Sequence, residues 1–435
     1  MMGWGQRRGA HSSAAGHARL ALPARALATL GLALAILASL TLVVPRSGGV
    51  RAAPPATIVA EMSGNHGGMY SEVGGGSGMV ELPGTRKRVP RRTPLGFVNA
   101  RVPWRFEFPR DHAAHFGFQS EWWYYTGHVK ARDGRRFGYE LTFFRFGLRA
   151  GDPRPAPNQS KWRGNQVYPV HLAVTDESGQ RFAYEEKFAR EALGMGRASE
   201  RALDVAAEAW TLRGAAPFRM KAQGDRIGVD LVQVAEKSAA VHGHDGVSVK
   251  GACGTCASHY YSMTRLRTSG VLSYGGERLR VDGISWMDHE FGSDELQNDQ
   301  VGWDWFSVQL DDHREIMVYR LRQKDGSVTA ESSGSVVDAQ GAVRYLARDD
   351  VLVEATGAWK SPHTDGVYPS GWRVRVPSAG IDLVITPTVK DQELADLAGG
   401  VSYWEGAVDV RDAGRGNAAG IGYVELTGYA GAVPL

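Results

Sequence analysis

Ser120-Glu121-Trp122-Trp123-Tyr124-Tyr125-Thr126-Gly127-His128-Val129, the turn Arg132-Asp133-Gly134-Arg135 and the return Phe137-Gly138-Tyr139-Glu140-Leu141-Thr142-Phe143-Phe144-Arg145 decide the fold class. Both arms are rich in aromatic and β-branched side chains, and the Asp-Gly between them marks a hairpin. Outward from it the habit persists at 170–175, 181–186, 210–213, 218–222 and 227–234, each run short and bounded by Gly, Asp or Pro. Helix is expected only in two short pieces, 187–193 and 391–397. In the second half, Trp303-Asp304-Trp305-Phe306-Ser307-Val308-Gln309-Leu310 can be laid on 122–129, with Phe306-Ser307 over Tyr125-Thr126. An Asp311-Asp312-His313 turn then leads into Ile316-Met317-Val318-Tyr319-Arg320, which suggests an internal duplication. Tyr403-Trp404-Glu405-Gly406-Ala407-Val408 and Gly422-Tyr423-Val424-Glu425-Leu426-Thr427-Gly428-Tyr429 close the chain as further strands. Many short strands with turn signals predict an all-β protein of two antiparallel barrels or sandwiches with short helices. A barrel of about eight strands can enclose one small ligand.

The remaining sequence bounds the setting. The 435 residues suffice for two domains with sizeable cores. A net charge of +3 makes no case for nucleic acid. The basic run Arg86-Lys87-Arg88 with Arg91-Arg92 reads as solvated linker, since no aromatics interleave it. Arg7, Arg8, Arg19 and Arg25 precede the uncharged stretch 26–44, and Val50-Arg51-Ala52 follows. Residues 1–52 therefore read as an export signal or, uncleaved, an N-terminal membrane anchor. No cysteine follows closely, which argues against a lipoprotein anchor. The folded part is expected outside the cytoplasmic membrane, periplasmic or extracellular, with 26–44 as the membrane tether. Residues 53–100, including Gly74-Gly75-Gly76-Ser77-Gly78, read as a flexible Gly/Pro-rich linker. A first barrel is then expected over 101–265 and a second over 266–435.

Chemistry is expected at Gly283-Ile284-Ser285-Trp286-Met287-Asp288-His289-Glu290-Phe291-Gly292, with Gly302-Trp303-Asp304-Trp305-Phe306 behind it. A solvated turn does not need tryptophans beside an Asp-His-Glu run. Carboxyl groups held against aromatic walls lose solvation, so their pKa rises and the acid stays protonated. The competing reading is a buried structural network. For Trp303 and Trp305, two apart on one strand face, core packing competes with ligand contact. For Glu121, a hydrogen-bonded structural carboxylate competes with a second acid.

Pro109-Arg110-Asp111-His112, Glu121 to His128, Trp286-Met287-Asp288-His289-Glu290 and Leu426-Thr427-Gly428-Tyr429 resemble the family that joins carotenoid 1,2-hydratases to AttH-type secreted proteins. The resemblance runs from about Phe106 to the C-terminus and implies two tandem lipocalin-like (calycin) barrels. It implies members of three kinds: hydratases of acyclic carotenoids, cyclases, and proteins linked to ABC exporters. Carried over residue by residue, the hydratase acid falls on Asp288 with its aromatic partner Trp286. The upstream His-x-aromatic pair falls on His259 and Tyr261, and His289 joins the catalytic set as a neighbour able to orient the acid. Trp122, Trp123, Tyr125, Glu121, Trp303 and Trp305 are the expected substrate-binding residues. Protonating an isolated alkene carbon needs a neutral, well-aimed acid, and no cofactor or metal. The expected partner is thus a long apolar isoprenoid or lipid. The reaction expected is hydration of an isoprenoid C=C bond in an apolar barrel cavity. The rival is a non-catalytic exported lipid carrier serving an ABC exporter. A secreted hydrolase is disfavoured, since no Gly-x-Ser-x-Gly elbow occurs.

Cys253-Gly254-Thr255-Cys256 lies just before His259, with His242-Gly243-His244-Asp245 upstream. In an oxidising compartment a Cys253–Cys256 disulfide is the first reading. A metal held by both cysteines, His259 and His242 or His244 is the alternative.

Overall fold

The structure, a computed structural model, describes residues 79–81, 88–90, 92–151, 160, 162, 164–294, 297 and 299–431. The stretch 26–44 and about two-thirds of the expected linker lie outside them. Among the described residues no helix is long and apolar enough to cross a membrane. Described residues ahead of the expected boundary at residue 101 already pack into the fold. Phe97 and Ala100 are buried, and Val98 N–H donates to the Gly117 carbonyl at 2.8 Å.

The strands form two large antiparallel sheets. In the first, Arg181–Arg190, Gln166–Asp176, Arg136–Gly147 and Ser120–Ala131 follow one another, and Ser120–Ala131 pairs with Glu277–Asp294. Next come Ala257–Tyr274, Ile227–Ala235 and Phe218–Gln223, then the short strands ending at Gly196–Ala198. This sheet curls until its two ends nearly meet. The Glu185 carboxylate on Arg181–Arg190 receives the backbone N–H groups of Asp225, Arg226 and Ile227 across the gap. The barrel interior is filled by side chains, among them Trp123, Tyr125, Tyr139, Leu141 and Phe143.

In the second sheet Val343–Ala347, Ser333–Val337, Glu315–Gln323 and Gln300–Leu310 run to Ala418–Thr427. Tyr403–Asp412, Ile381–Pro387, Trp372–Val376 and Leu352–Ala355 complete this open half-barrel. Its concave face carries Phe306, Val308, Trp372, Trp404 and Val424. The molecule is thus all-β, with two lipocalin-like halves in tandem.

Three features depart from the sequence expectation. The long hairpin Ala257–Tyr274/Glu277–Asp294 belongs wholly to the first sheet, so the sheets part between Asp294 and Gln300, not at 265/266. Its tight turn, Gly275-Gly276 with φ of 59° and 83°, keeps both arms in one sheet. Neither expected helix forms. Residues 187–190 extend a strand ahead of a 3-10 turn at Ala192–Gly194, and 391–397 contains the two-residue strand Glu393–Leu394. Pairing with Gln166–Asp176 in the first case and with Tyr403–Asp412 in the second outweighs local helix propensity there. The duplication is also shifted. In both hairpins the turn is clamped by an Asp that accepts from the Arg two residues on, Asp133 with Arg135 and Asp312 with Arg314, each Nε–Oδ2 bond being 2.9 Å. Aligning these clamps sets Phe306 over Gly127, two residues from the alignment expected from sequence. A slip of two preserves which face each side chain takes.

The sheets pack with their outer faces together. His128 Nε2 lies 2.8 Å from the Gly422 carbonyl, and Arg136 pairs with Asp409 at 2.7 Å. Gly138 permits this approach, since a Cβ there would lie 2.6 Å from that of Ala407.

Candidate functional site

Strand alternation decides which residues meet. On Glu277–Asp294, Trp286, Asp288 and Glu290 point to the outer face of the barrel, while Met287, His289 and Phe291 point inward. Cross-strand pairing carries the split to the neighbouring strand, where Ser262 sits opposite Asp288 and Tyr261 opposite His289. The expected catalytic set therefore divides. Asp288 and Trp286 stay together between the sheets, and His259, Tyr261 and His289 lie on the other side of their strands.

Between the sheets, Asp288 is 4% exposed. Tyr260 O–H donates to its Oδ2 at 2.6 Å, Trp286 Nε1–H to its Oδ1 at 2.5 Å, and the Ser262 hydroxyl also to Oδ1. Burial pushes the Asp288 carboxyl up to about 7 against the pull of these three donors, and the Glu290 charge adds to the rise. Trp305, from the second sheet, donates its indole N–H to the Tyr260 hydroxyl at 3.0 Å. Its ring meets Trp286 edge-on at 6.3 Å and Tyr124 at 5.1 Å. Trp122 and Trp303 pack at the margin and remain partly exposed. Behind Ser262 stands His242, with Nε2 2.6 Å from the Ser262 hydroxyl and Nδ1 3.0 Å from that of Ser335. Burial holds that imidazole neutral, its pKa lowered to about 3. Beside Asp288, Glu290 is paired with Lys250 at 2.9 Å, and Lys250 Nζ lies 3.9 Å above the Tyr319 ring.

The opposite wall carries carboxyls too. Tyr124 O–H donates to Glu405 Oε1 at 2.7 Å, and Trp303 Nε1–H to Glu425 Oε2 at 2.8 Å. Burial and the neighbouring Glu425 and Glu140 charges hold Glu405 well above the usual carboxylate range. Glu425 is pushed up to about 7 by burial and by the Asp288 and Glu290 charges.

Inside the first barrel a different arrangement appears. Glu121, wholly buried, accepts from Arg145 Nε at 2.8 Å and lies 2.9 Å from His115 Nδ1 and 2.8 Å from His289 Nε2. Burial pushes its pKa up, but the Arg145 charge and the two imidazole partners outweigh that and hold it well below the usual range. Trp123 stacks on His289 at 4.9 Å. The Tyr261 hydroxyl lies 2.6 Å from His112 Nδ1 and 3.1 Å from His289 Nδ1. His259 stacks on Trp104 at 4.3 Å with Nδ1 2.8 Å from the Gly246 carbonyl, and Tyr125 joins the barrel core. His115, Glu121 and His289 bring ligand-type atoms within 4.8 Å of one another, yet each is already engaged in this network. Cys253 and Cys256 are joined in a disulfide.

Of the residues expected to act together, Asp288, Trp286, Trp122, Trp303 and Trp305 share the region between the sheets. His259, Tyr261, His289, Glu121, Trp123 and Tyr125 do not reach Asp288. The barrel interior is filled by side chains, and Asp288 lies instead beside a cluster packed between the sheets. Tyr260, Ser262, Glu405 and Glu425 were not singled out, and His242 was weighed only as a metal ligand. Strict alternation from Asp288, carried onto the adjacent strand, would have selected Tyr260 and Ser262 in place of their neighbours.

Solved structures align with this architecture. A candidate AttH of Nitrosomonas europaea is 31% identical, covering 77% of this chain and 100% of that one, with a TM-score of 0.68. The kievitone hydratase of Nectria haematococca shares the fold at 13% identity, covering 82% of this chain and 98% of that one, with a TM-score of 0.56. No curated protein sequence matches the chain. The AttH-like family model matches residues 99–429, and the chain belongs to that family.

Proposed function

We propose that this protein adds water across an isoprenoid C=C bond, with Asp288 as the acid and the space between the two sheets as the site. The observation that carries the reading is a carboxyl group buried among Tyr260, Ser262 and Trp286, paired with no cation among the described residues and pushed up to about 7. Such a group holds a proton near neutral pH and can deliver it to carbon. The tertiary cation left behind would face Trp286, Trp305 and Tyr260, each contact worth about 2 kcal/mol when desolvated. Ligand entry runs past Trp122 and Trp303, the partly exposed rings of the margin. The expected export of the folded part, with 26–44 as tether, fits an enzyme acting on a membrane-soluble hydrocarbon.

The test is product mass after incubation with acyclic carotenes, for the wild-type protein and for Asp288→Asn. A gain of one water in the wild type, reduced at least about 100-fold in the variant, supports the reading. Carotene bound but unchanged, and equally in both proteins, would favour a non-catalytic lipid carrier.

A further inference from the structure

Glu405 and Glu425 stand directly opposite each other on Tyr403–Asp412 and Ala418–Thr427. Like charges in this position destabilise a sheet. Two other buried glutamates are matched with cations, Glu121 with Arg145 and Glu315 with Arg265 and Lys237, while the buried Glu393 has the hydroxyls of Ser361, Thr364 and Tyr368. Among the described residues neither Glu405 nor Glu425 has such a partner, their side-chain hydrogen bonds coming from Tyr124 and Trp303. Glu140 adds a third carboxyl from the first sheet, with Thr142 donating to its Oε1. The second oxygens of Glu140 and Glu405 are buried and accept no hydrogen bond. Glu405 is wholly buried, whereas Glu425 is partly exposed. Trp305 links this group to the acid: its cross-strand neighbour is Glu425, and its indole donates to Tyr260, which donates to Asp288. A sheet that keeps opposed, cation-free carboxyls beside an acid gives up stability for chemistry.

We propose that Glu425, with Glu405 as its positioning partner, is the proton acceptor of the inter-sheet site. The assignment rests on the hydration reading above. Asp288 gives its carboxyl proton to one alkene carbon, the π pair forming the new C–H bond and leaving a cation on the other carbon. A lone pair of water forms the C–O bond. The resulting oxonium loses one proton to the Glu425 carboxylate. The alkene has then gained H and OH, Asp288 is a carboxylate and Glu425 a carboxylic acid. Proton release from Glu425 to solvent and uptake by Asp288 restore the start. Glu405, away from water, keeps its proton, so the opposed pair carries one negative charge, on the member nearer solvent.

The experiment is the pH profile of carotene hydration for the full chain, wild type against Glu425→Gln, Glu425→Asp and Asp288→Asn, with binding followed by tryptophan fluorescence. Glu425→Gln is expected to lose at least about 100-fold in rate and the acidic limb of the profile, with affinity changed less than about threefold. Glu425→Asp keeps a carboxylate and should retain that limb at a reduced rate. Infrared titration of the resting protein should lose one carboxyl band titrating near neutral pH in each of Glu425→Gln and Asp288→Asn. An active wild type with Glu425→Gln equally fast and both limbs intact overturns this assignment alone. A wild type that binds carotene without turnover overturns the hydration reading and the assignment with it.

Discussion

Two buried carboxyl clusters lie on opposite faces of the same barrel wall and obey opposite electrostatic logic. Inside the barrel, Glu121 is surrounded by Arg145, His115 and His289, and its ionised form is held in place. Between the sheets, Asp288, Glu405 and Glu425 have hydroxyl and indole donors and, among the described residues, no cation paired with them, and burial favours their protonated forms. Both use carboxyl groups walled by aromatics, and the second is the one proposed above for proton chemistry. Burial alone therefore does not set the protonation state of a carboxyl; the nature of its partners does.

Breaking the structural pair should give the largest effect. Arg145→Met leaves Glu121 as an uncompensated buried charge and is expected to cost about 3–5 kcal/mol in urea unfolding at pH 7. A loss below 1 kcal/mol would erase the contrast. Next comes the response to pH. The folded-state pKa of Asp288, about 7, lies above its unfolded value of ~3.9. Its stability penalty is therefore absent below about pH 4 and grows as pH rises to about 7. Unfolding free energies of Asp288→Asn relative to wild type should rise by about 3–4 kcal/mol across that window and then level off. Glu121 has the opposite sign: its stabilisation is full above the unfolded carboxyl pKa and is lost as pH falls through the depressed folded value. A flat Asp288→Asn difference from pH 4 to 8 would place that carboxyl with Glu121. The smallest effect is at the margin. Trp303→Phe removes the donor to Glu425 and should cost about 1 kcal/mol, read by thermal unfolding at pH 8.

Much of the fold was legible because its signals are local. The Asp-Gly turn after Ala131 and the alternating aromatics of 120–129 produce the hairpin observed, and Asp288 with Trp286 lands in one site. What escaped was the choice of face. Tyr260 and Tyr261 are adjacent and chemically alike, so only the register against Glu290 and His289 tells which one meets the acid. The Glu405–Glu425 opposition is a property of two strands and their pairing. In sequence each is a single glutamate within an apolar run, which reads as ordinary strand. The sheet boundary was misplaced for a related reason, since 265/266 falls inside Ala257–Tyr274, and only the pairing of that strand with Glu277–Asp294 shows that both belong to the first sheet.

The placement of Ala418–Thr427 has a kinetic consequence. That strand lies in the middle of the half-barrel, between Tyr403–Asp412 and the much earlier Gln300–Leu310. Pairing elements so far apart along the chain must overcome a large loop-closure entropy, so it belongs to the slow part of folding. Glu425 rides on this strand, and its neighbour Trp305 lies on the partner it must find. Assembly of the wall opposite Asp288 and completion of the second sheet are therefore one event. A chain caught before that zippering step would expose the aromatic outer face of a finished first barrel, the surface a holding chaperone would recognise.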